Sequence, residues 1–243
     1  MQALMDKSRG LLRAFKRIQG ADKNRKTIIA IGLIDYNETN AWDRYKNWIK
    51  MAVDEYEADT VIAISSYLGT DDVTKCRIFP ADSLNIADGS APSIMKHAEL
   101  VTSSFQYQKV DAVVGLTLFM GAREYTTTLP DDQKNNTMVL LYSGCSAESS
   151  TNIDATCEGN RFNQIRGVET NVNIGFHGFG LSFFWDTKRT LLAKVNYVKG
   201  IARHRFAWLY LDVNLADPDG VCGNPQWQNV QELKTAFGIG NTP

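Results

Sequence analysis

Histidine is scarce in this chain. Three occur in 243 residues (His97, His177 and His204), and no two stand at metal-ligand spacing, so no metal centre is expected. The four cysteines (Cys76, Cys145, Cys157, Cys222) include no C-x-x-C pair, which argues against zinc-ribbon and thioredoxin-type chemistry. Their even number allows two disulfides with three possible pairings. No apolar run approaches the roughly 20 residues of a membrane span. The P-loop and dinucleotide glycine patterns are absent, as is the G-x-S-x-G nucleophile elbow, so no nucleotide or cofactor site is expected. Gly175-Phe-His-Gly-Phe-Gly180 has neither glycine spacing and reads as a turn with aromatic packing. The N-terminus shows no long apolar stretch, so no secretory signal is visible. There is no internal repeat and no low-complexity tract.

What remains is a globular composition, 44% apolar and 22% charged, long enough for one larger α/β domain. The net charge of -1 is unevenly spread. Residues 1–28 hold eight basic groups against Asp6 and Asp22, +6 for that stretch and -7 for the rest. A basic stretch over residues 7–26 could touch nucleic acid. The wet face of a surface helix is the favoured reading, with Leu4, Leu11, Leu12, Phe15 and Ile18 as its packing stripe. Two sequons, Asn37-Glu-Thr39 and Asn135-Asn-Thr137, matter only in a secreted protein.

Hydrophobic periodicity gives the elements. Residues 26–32 (KTIIAIG) read as a buried parallel strand. Asn40 is placed to cap a helix that carries Trp42, Tyr45, Ile49, Ala52, Val53 and Tyr56 at helical spacing. Thr60–Ser66 is the next strand, giving a right-handed β-α-β unit. A helix at 95–105, a strand at 110–119 and a polar stretch at 126–180 with a strand at 138–142 follow. Leu181–Trp185 begins a last unit, with a helix at 187–198 and a strand at 205–213. A final helix is capped at Asn224-Pro225.

Asp59-Thr-Val-Ile-Ala-Ile-Ser-Ser-Tyr67 resembles the catalytic strand of the chitinase-like family 18 glycoside hydrolases, D-x-x-D-x-D-x-E-Y. RKTIIAIG resembles the strand before it, the third, which ends in an S-x-G-G region. The segment from Lys109 to Arg123 resembles the seventh strand, K-l-v-l-G-l-p-f-Y-G-R, with one extra residue. WDTKRTLLAKVNYVK resembles the D-x-x-S-x-x-x-K-x-x-Y helix. AWLYLDVNLADPDGVCG resembles the last strand, W-s-l-D-x-D, with a one-residue slip. The first two strands have no counterpart, and Leu84-Asn-Ile86 stands where a remnant of the sixth would be.

The resemblance implies a (β/α)8 TIM-barrel-like fold, incomplete or repaired by unusual pairing, with a small insertion before the last β/α unit. Residues 1–125 would form the first part, 126–180 the insertion and 181–243 the last unit. At the motif positions Asp59 is kept, while Ile62, Ile64 and Ser66 replace two aspartates and the acid glutamate. In that register general-acid and electrostatic catalysis are lost. A catalytically inactive chitinase-like protein is expected, binding chitin or N-acetylglucosamine oligosaccharides through Trp208, Tyr67, Asp212 and Arg123. A divergent active hydrolase using Asp71 or Asp72 is the enzyme alternative, and an interaction protein with a closed cleft is the other. An extracellular location follows from the resemblance if a leader is assumed. No membrane partner is expected.

Overall fold

The computed structural model describes residues 2–20, 22, 24, 26–33, 38–56, 58–66, 76–78, 80, 82–86, 92–105, 111–130, 141–157, 163–166, 172–177, 180–203, 205–222 and 226–237. Tyr67, Asp71, Asp72, both sequon asparagines, His204 and the Asn224-Pro225 cap lie outside them.

Helix α1 (Gln2–Gln19) leads to strand β1 (Ile28–Gly32), then α2 (Ala41–Asp54), β2 (Thr60–Ile64), α3 (Ile94–Ser104) and β3 (Val113–Phe119). Five strands follow: β4 (Ala122–Thr127), β5 (Cys145–Thr151), β6 (Asn163–Arg166), β7 (Asn173–His177) and β8 (Leu181–Trp185). Helix α4 (Lys188–Ile201), β9 (Phe206–Leu211) and α5 (Gln228–Ala236) complete the order.

Two sheets result. The first is all parallel, in the order β1-β2-β3-β9. The second is antiparallel, in the order β5-β4-β8-β7-β6. Four parallel strands form an open sheet, and the described residues contain no closed ring. The antiparallel sheet runs from Ala122 to Trp185 and so extends beyond both ends of the 126–180 stretch expected as an insertion. Leu181–Trp185 is an inner strand of that sheet, paired with both β4 and β7, and not the opening of a barrel unit. Periodicity misassigned it because a buried strand reads alike in either kind of sheet. Of the strand expected at 138–142, the described Leu141 and Tyr142 form a turn.

The helices cover one face of the parallel sheet. Tyr45, Ile49 and Ala52 of α2, Ile94, Ala98 and Val101 of α3, and Val198 of α4 meet Val61, Ala63, Val114 and Leu116. Strand alternation puts Ile62, Ile64, Gly115 and Thr117 on the other, inner face. Gly115 lets its neighbours on that face approach closely. A Cβ there would fall well inside contact distance of the Ala207 carbonyl oxygen and 2.6 Å from Ile62 Cδ1.

β1 is parallel as expected, but it is an edge strand. Ile28 is 63% exposed, so the reading of a strand buried on both faces is corrected. The stripe expected on α1 is also corrected. Leu12 packs on the helix-side core, while Leu11, Phe15 and Ile18 are 57%, 47% and 66% exposed. Asn40 precedes α2 in a left-handed conformation, φ 61°, and makes no side-chain cap.

Disulfides Cys76–Cys145 and Cys157–Cys222 choose one of the three pairings. The first lies in the core of the antiparallel sheet with Tyr125, Ile174 and Phe184. The second ties the turn after β5 to the segment before α5.

Candidate functional site

The C-terminal ends of parallel strands are where this class of sheet places its sites. Here β2 runs into Ser65 and Ser66, β3 into Phe119 and β9 into Asp212. Both serines are buried and bound to Thr117 of the adjacent strand. The Ser65 and Ser66 amides donate to Thr117 Oγ1 at 2.9 and 3.0 Å, and Ser65 Oγ donates to the Thr117 carbonyl at 2.8 Å. Thr117 Oγ1 in turn donates to Ser66 Oγ at 3.0 Å. These bonds satisfy polar groups where the ladder ends, a positioning role.

Beyond β3 the two sheets meet at a charged junction. Arg123 of β4 lays its guanidinium 4.2 Å from the centre of the Phe119 ring. It donates to Ser150 Oγ at 2.8 Å and lies 3.9 Å from both Asp82 and Glu148. All three charged side chains are nearly buried, at 11%, 6% and 8% exposure. Asp82 holds a left-handed backbone, φ 61°.

Asp186 follows β8 and is buried with Lys194 of α4, whose ammonium donates to its Oδ2. Thr190 Oγ1 donates to Oδ1 at 2.7 Å. Burial pushes the Asp186 carboxyl above its ordinary range, against the pull of Lys194 and Thr190, and the Asp82 charge adds to the rise. Beside it lies a cavity of about 280 Å³, lined by Trp185, Asp186, Lys188, Asp217, Gln228 and Asn229. Asp217 is itself held, accepting from the amides of Val221 and Cys222 at 2.8 and 3.2 Å. The described residues hold no cluster of histidine, cysteine and carboxylate side chains able to bind a metal.

Among the described residues, the expected site residues Arg123, Asp212 and Trp208 do not converge. Arg123 sits at the junction. Asp212 is exposed at the end of β9 in a left-handed turn, φ 52°. Trp208 lies across the sheet from the inner face. It pairs with Leu116 and packs against Phe206 and Phe237, with ring centres 5.4 and 6.4 Å away. The one-residue slip explains this, since shifting a strand by one residue turns each side chain to the opposite face. Leu209 takes the inner position, opposite Thr117.

The motif positions of the strand resemblance lie along β2 and at its two ends. Asp59 sits at the opposite end of β2 and joins α1 to the sheet. It accepts from the Thr27 amide at 2.7 Å and from Lys16 at 3.2 Å. Burial alone would raise its pKa, but these partners bring it below the ordinary value. Ile62, Ile64 and Ser66 do share the inner face. Yet β2 bonds directly to β3, from Thr60↔Val113 to Ala63↔Leu116. If β3 holds the seventh place in a barrel, a fourth strand cannot be its neighbour. Leu84 and Ile86, read as a remnant of the sixth strand, are buried but belong to no strand.

The junction of Asp82, Glu148 and Asp186 with their cations escaped the sequence reading. The D-x-x-x-T-x-x-x-K spacing was the available signal, with Asp186 just before the helix cap and Thr190 and Lys194 one turn apart on α4.

No protein-family profile matches the sequence, and no curated protein is similar to it. Solved structures are. The Group IV chitinase of Ostrinia furnacalis superimposes with a TM-score of 0.72 at 11% identity, over 96% of this chain and 62% of that one. The same enzyme has been solved in complex with allosamidin. A glycoside hydrolase family 18 N-acetylglucosaminidase from Paenibacillus barengoltzii gives 0.61 at 15% identity, over 91% and 62%. A chitinase-like agglutinin from Robinia pseudoacacia gives 0.58 at 14%, over 97% and 62%. The chain therefore spans less than two thirds of the length of each of these structures. It has the chitinase-like fold of glycoside hydrolase family 18.

Proposed function

We propose that this chain is a chitinase-like carbohydrate-binding protein that does not itself cleave its ligand, with N-acetylglucosamine oligosaccharides as the ligand class. One observation carries the reading: among the described residues, the buried carboxylates at the C-terminal rim each lie beside a cation or accept backbone amides. Asp82 and Glu148 flank Arg123, Asp186 is paired with Lys194, and Asp217 accepts two backbone amides. A general acid must hold a proton within reach of the leaving oxygen, and these described groups face cations or amides of the protein itself. Ser66, bound to Thr117, has a hydroxyl far too weak for that work.

Binding chemistry is present at the same rim. Apolar faces of sugars stack on rings while their hydroxyls seek charged and amide groups. The cavity beside Trp185 offers both kinds of partner, with Asn229 and Gln228 on its wall. An extracellular setting accords with the two disulfides. The fold is shared with active chitinases and with an agglutinin, so it fits binding without turnover.

Calorimetry with chitotriose and chitohexaose, paired with a fluorogenic chitotriose assay, tests both halves. Saturable heat, weakened by Asn229→Ala, with fluorescence at the blank level is the expected pair. Turnover above blank removes the non-hydrolytic half, and no heat with any oligomer removes the binding half.

A further inference from the structure

Helix α1 turns part of its charge towards the protein. Arg9 and Lys16 are half-buried, while Leu11, Phe15 and Ile18 stand in solvent. Between α1 and the end of α2 lies a second cavity of about 280 Å³. That is near the small end of the range for ligand pockets, roughly 300–1,000 Å³. Four basic side chains of α1 line it: Arg9, Arg13, Lys16 and Arg17. Leu12 and Tyr56 add apolar wall, and Glu55, just after α2, is the carboxylate among the described lining residues.

These cations are not equally accounted for by the fold. Lys16 donates to Asp59 at 3.2 Å and so ties α1 to the sheet. Arg17 stands in the last turn of α1, where the helix dipole favours a cation. Arg9 and Arg13 have neither explanation, and their guanidinium groups have no partner among the described residues. Arg9, Arg13 and Arg17 follow one another at four-residue steps, and like charges at that spacing weaken a helix. Arg9 Nε is also shut off from solvent, and a buried charged donor without an acceptor is unfavourable.

An anion in the cavity answers all three features. It accepts from Arg9, separates the stacked charges and offsets the excess of cations over Glu55. We infer that this cavity binds a tetrahedral oxyanion carried on a single sugar unit, a sulfate or phosphate ester. The planar fork of arginine matches two oxygens of such a group. Leu12 and Tyr56 offer apolar contact to the ring that carries it. A nucleic-acid duplex or a lipid surface needs cations spread outwards, whereas Arg9 and Lys16 face the protein. The site lies by Asp59, at the N-terminal end of β2, away from the rim cavity beside Trp185. It therefore stands apart from the reading of the rim.

Calorimetry on the full chain at low salt tests it. The probes are N-acetylglucosamine 6-sulfate and N-acetylglucosamine 6-phosphate, with N-acetylglucosamine and inorganic sulfate as controls. One saturable event per chain is expected with at least one ester, tighter than with either control and weakened by added salt. Which ester binds separates a sulfated from a phosphorylated source. Arg13→Gln, at an exposed position, should weaken binding about tenfold or more, the value of a charge-assisted hydrogen bond. Lys7→Gln removes the same charge from α1 but does not touch the cavity, and should leave affinity unchanged. Glu55→Gln removes the opposing charge and should tighten binding, a gain that misfolding does not imitate. The inference is overturned if neither ester gives saturable heat, or if Lys7→Gln weakens binding as much as Arg13→Gln. It is also overturned if inorganic sulfate binds as tightly as the esters, or if chitotriose competes with them. Binding of a DNA duplex or of phosphatidylserine vesicles in place of the esters overturns it too.

Discussion

Replacing Lys194 by methionine should make stability depend steeply on pH. Lys194 is fully buried, and Asp186 is 5% exposed. With the ammonium gone, the Asp186 carboxylate keeps only Thr190 as a described hydrogen-bond partner, and the Asp82 charge still opposes it. Breaking a buried pair from one side typically costs about 3–5 kcal/mol. The carboxyl has an escape, because it can bind a proton. Holding an acid protonated costs about 1.4 kcal/mol per pH unit above its ordinary pKa of 3.8. At pH 7 that ceiling is about 4 kcal/mol, close to the cost of the unpaired charge. The sign follows from linkage. A carboxyl whose folded pKa is raised loses stability as pH climbs above its unfolded value, so Lys194→Met should regain stability from pH 7 towards pH 4. Urea unfolding at pH 7, 6 and 5, compared with the parent at each pH, measures it. Lys194→Met with Asp186→Asn should be flat over that range and should recover much of the loss. A loss below about 1 kcal/mol at pH 7, or one that does not shrink with acid, refutes the description of this pair as a buried, mutually dependent unit.

His97 gives the opposite slope. It is buried against Trp42 and Tyr45, and burial pushes its pKa down to about 4. Stability should be full above pH 6.5 and fall by up to about 3 kcal/mol as pH drops towards 4, a slope that His97→Gln removes in the same urea titrations. Gly115→Val should cost at least about 1–3 kcal/mol, read as a lowered Tm, because the added atoms meet the Ala207 carbonyl and Ile62. An unchanged Tm would mean that Gly115 is less tightly packed than described. Changing both Cys157 and Cys222 to serine opens a cross-link with a sequence separation of 65, worth about 4 kcal/mol on chain-entropy grounds, and thermal unfolding should move accordingly.

The parts of the fold that the sequence revealed are those with a strong local period. β2 and β3 are short β-branched runs, and α2, α3 and α4 carry regular apolar stripes, so they appear within a few residues of their expected places. β5 was missed because Cys145–Thr151 is a polar edge strand whose side chains are mostly exposed, leaving no alternation to read. For the candidate site, Arg123 was legible through its family-like segment. Asp82 and Glu148 were not, because they come from separate segments that only the folded chain joins.

The amino-acid order alone determined that this is an α/β chain with parallel strands, ordered segments like those of family 18 hydrolases, no visible nucleotide or metal motif, and cysteines able to form two bridges. Local spacing suffices for those statements, since each depends on residues close together in the chain. Tertiary structure decided which strand neighbours which. A resemblance along the sequence does not contain adjacency, and hydrogen bonding between β2 and β3 does. It also decided which face each side chain takes: the one-residue slip in the last strand sends Trp208 to the helices and Leu209 to the inner face.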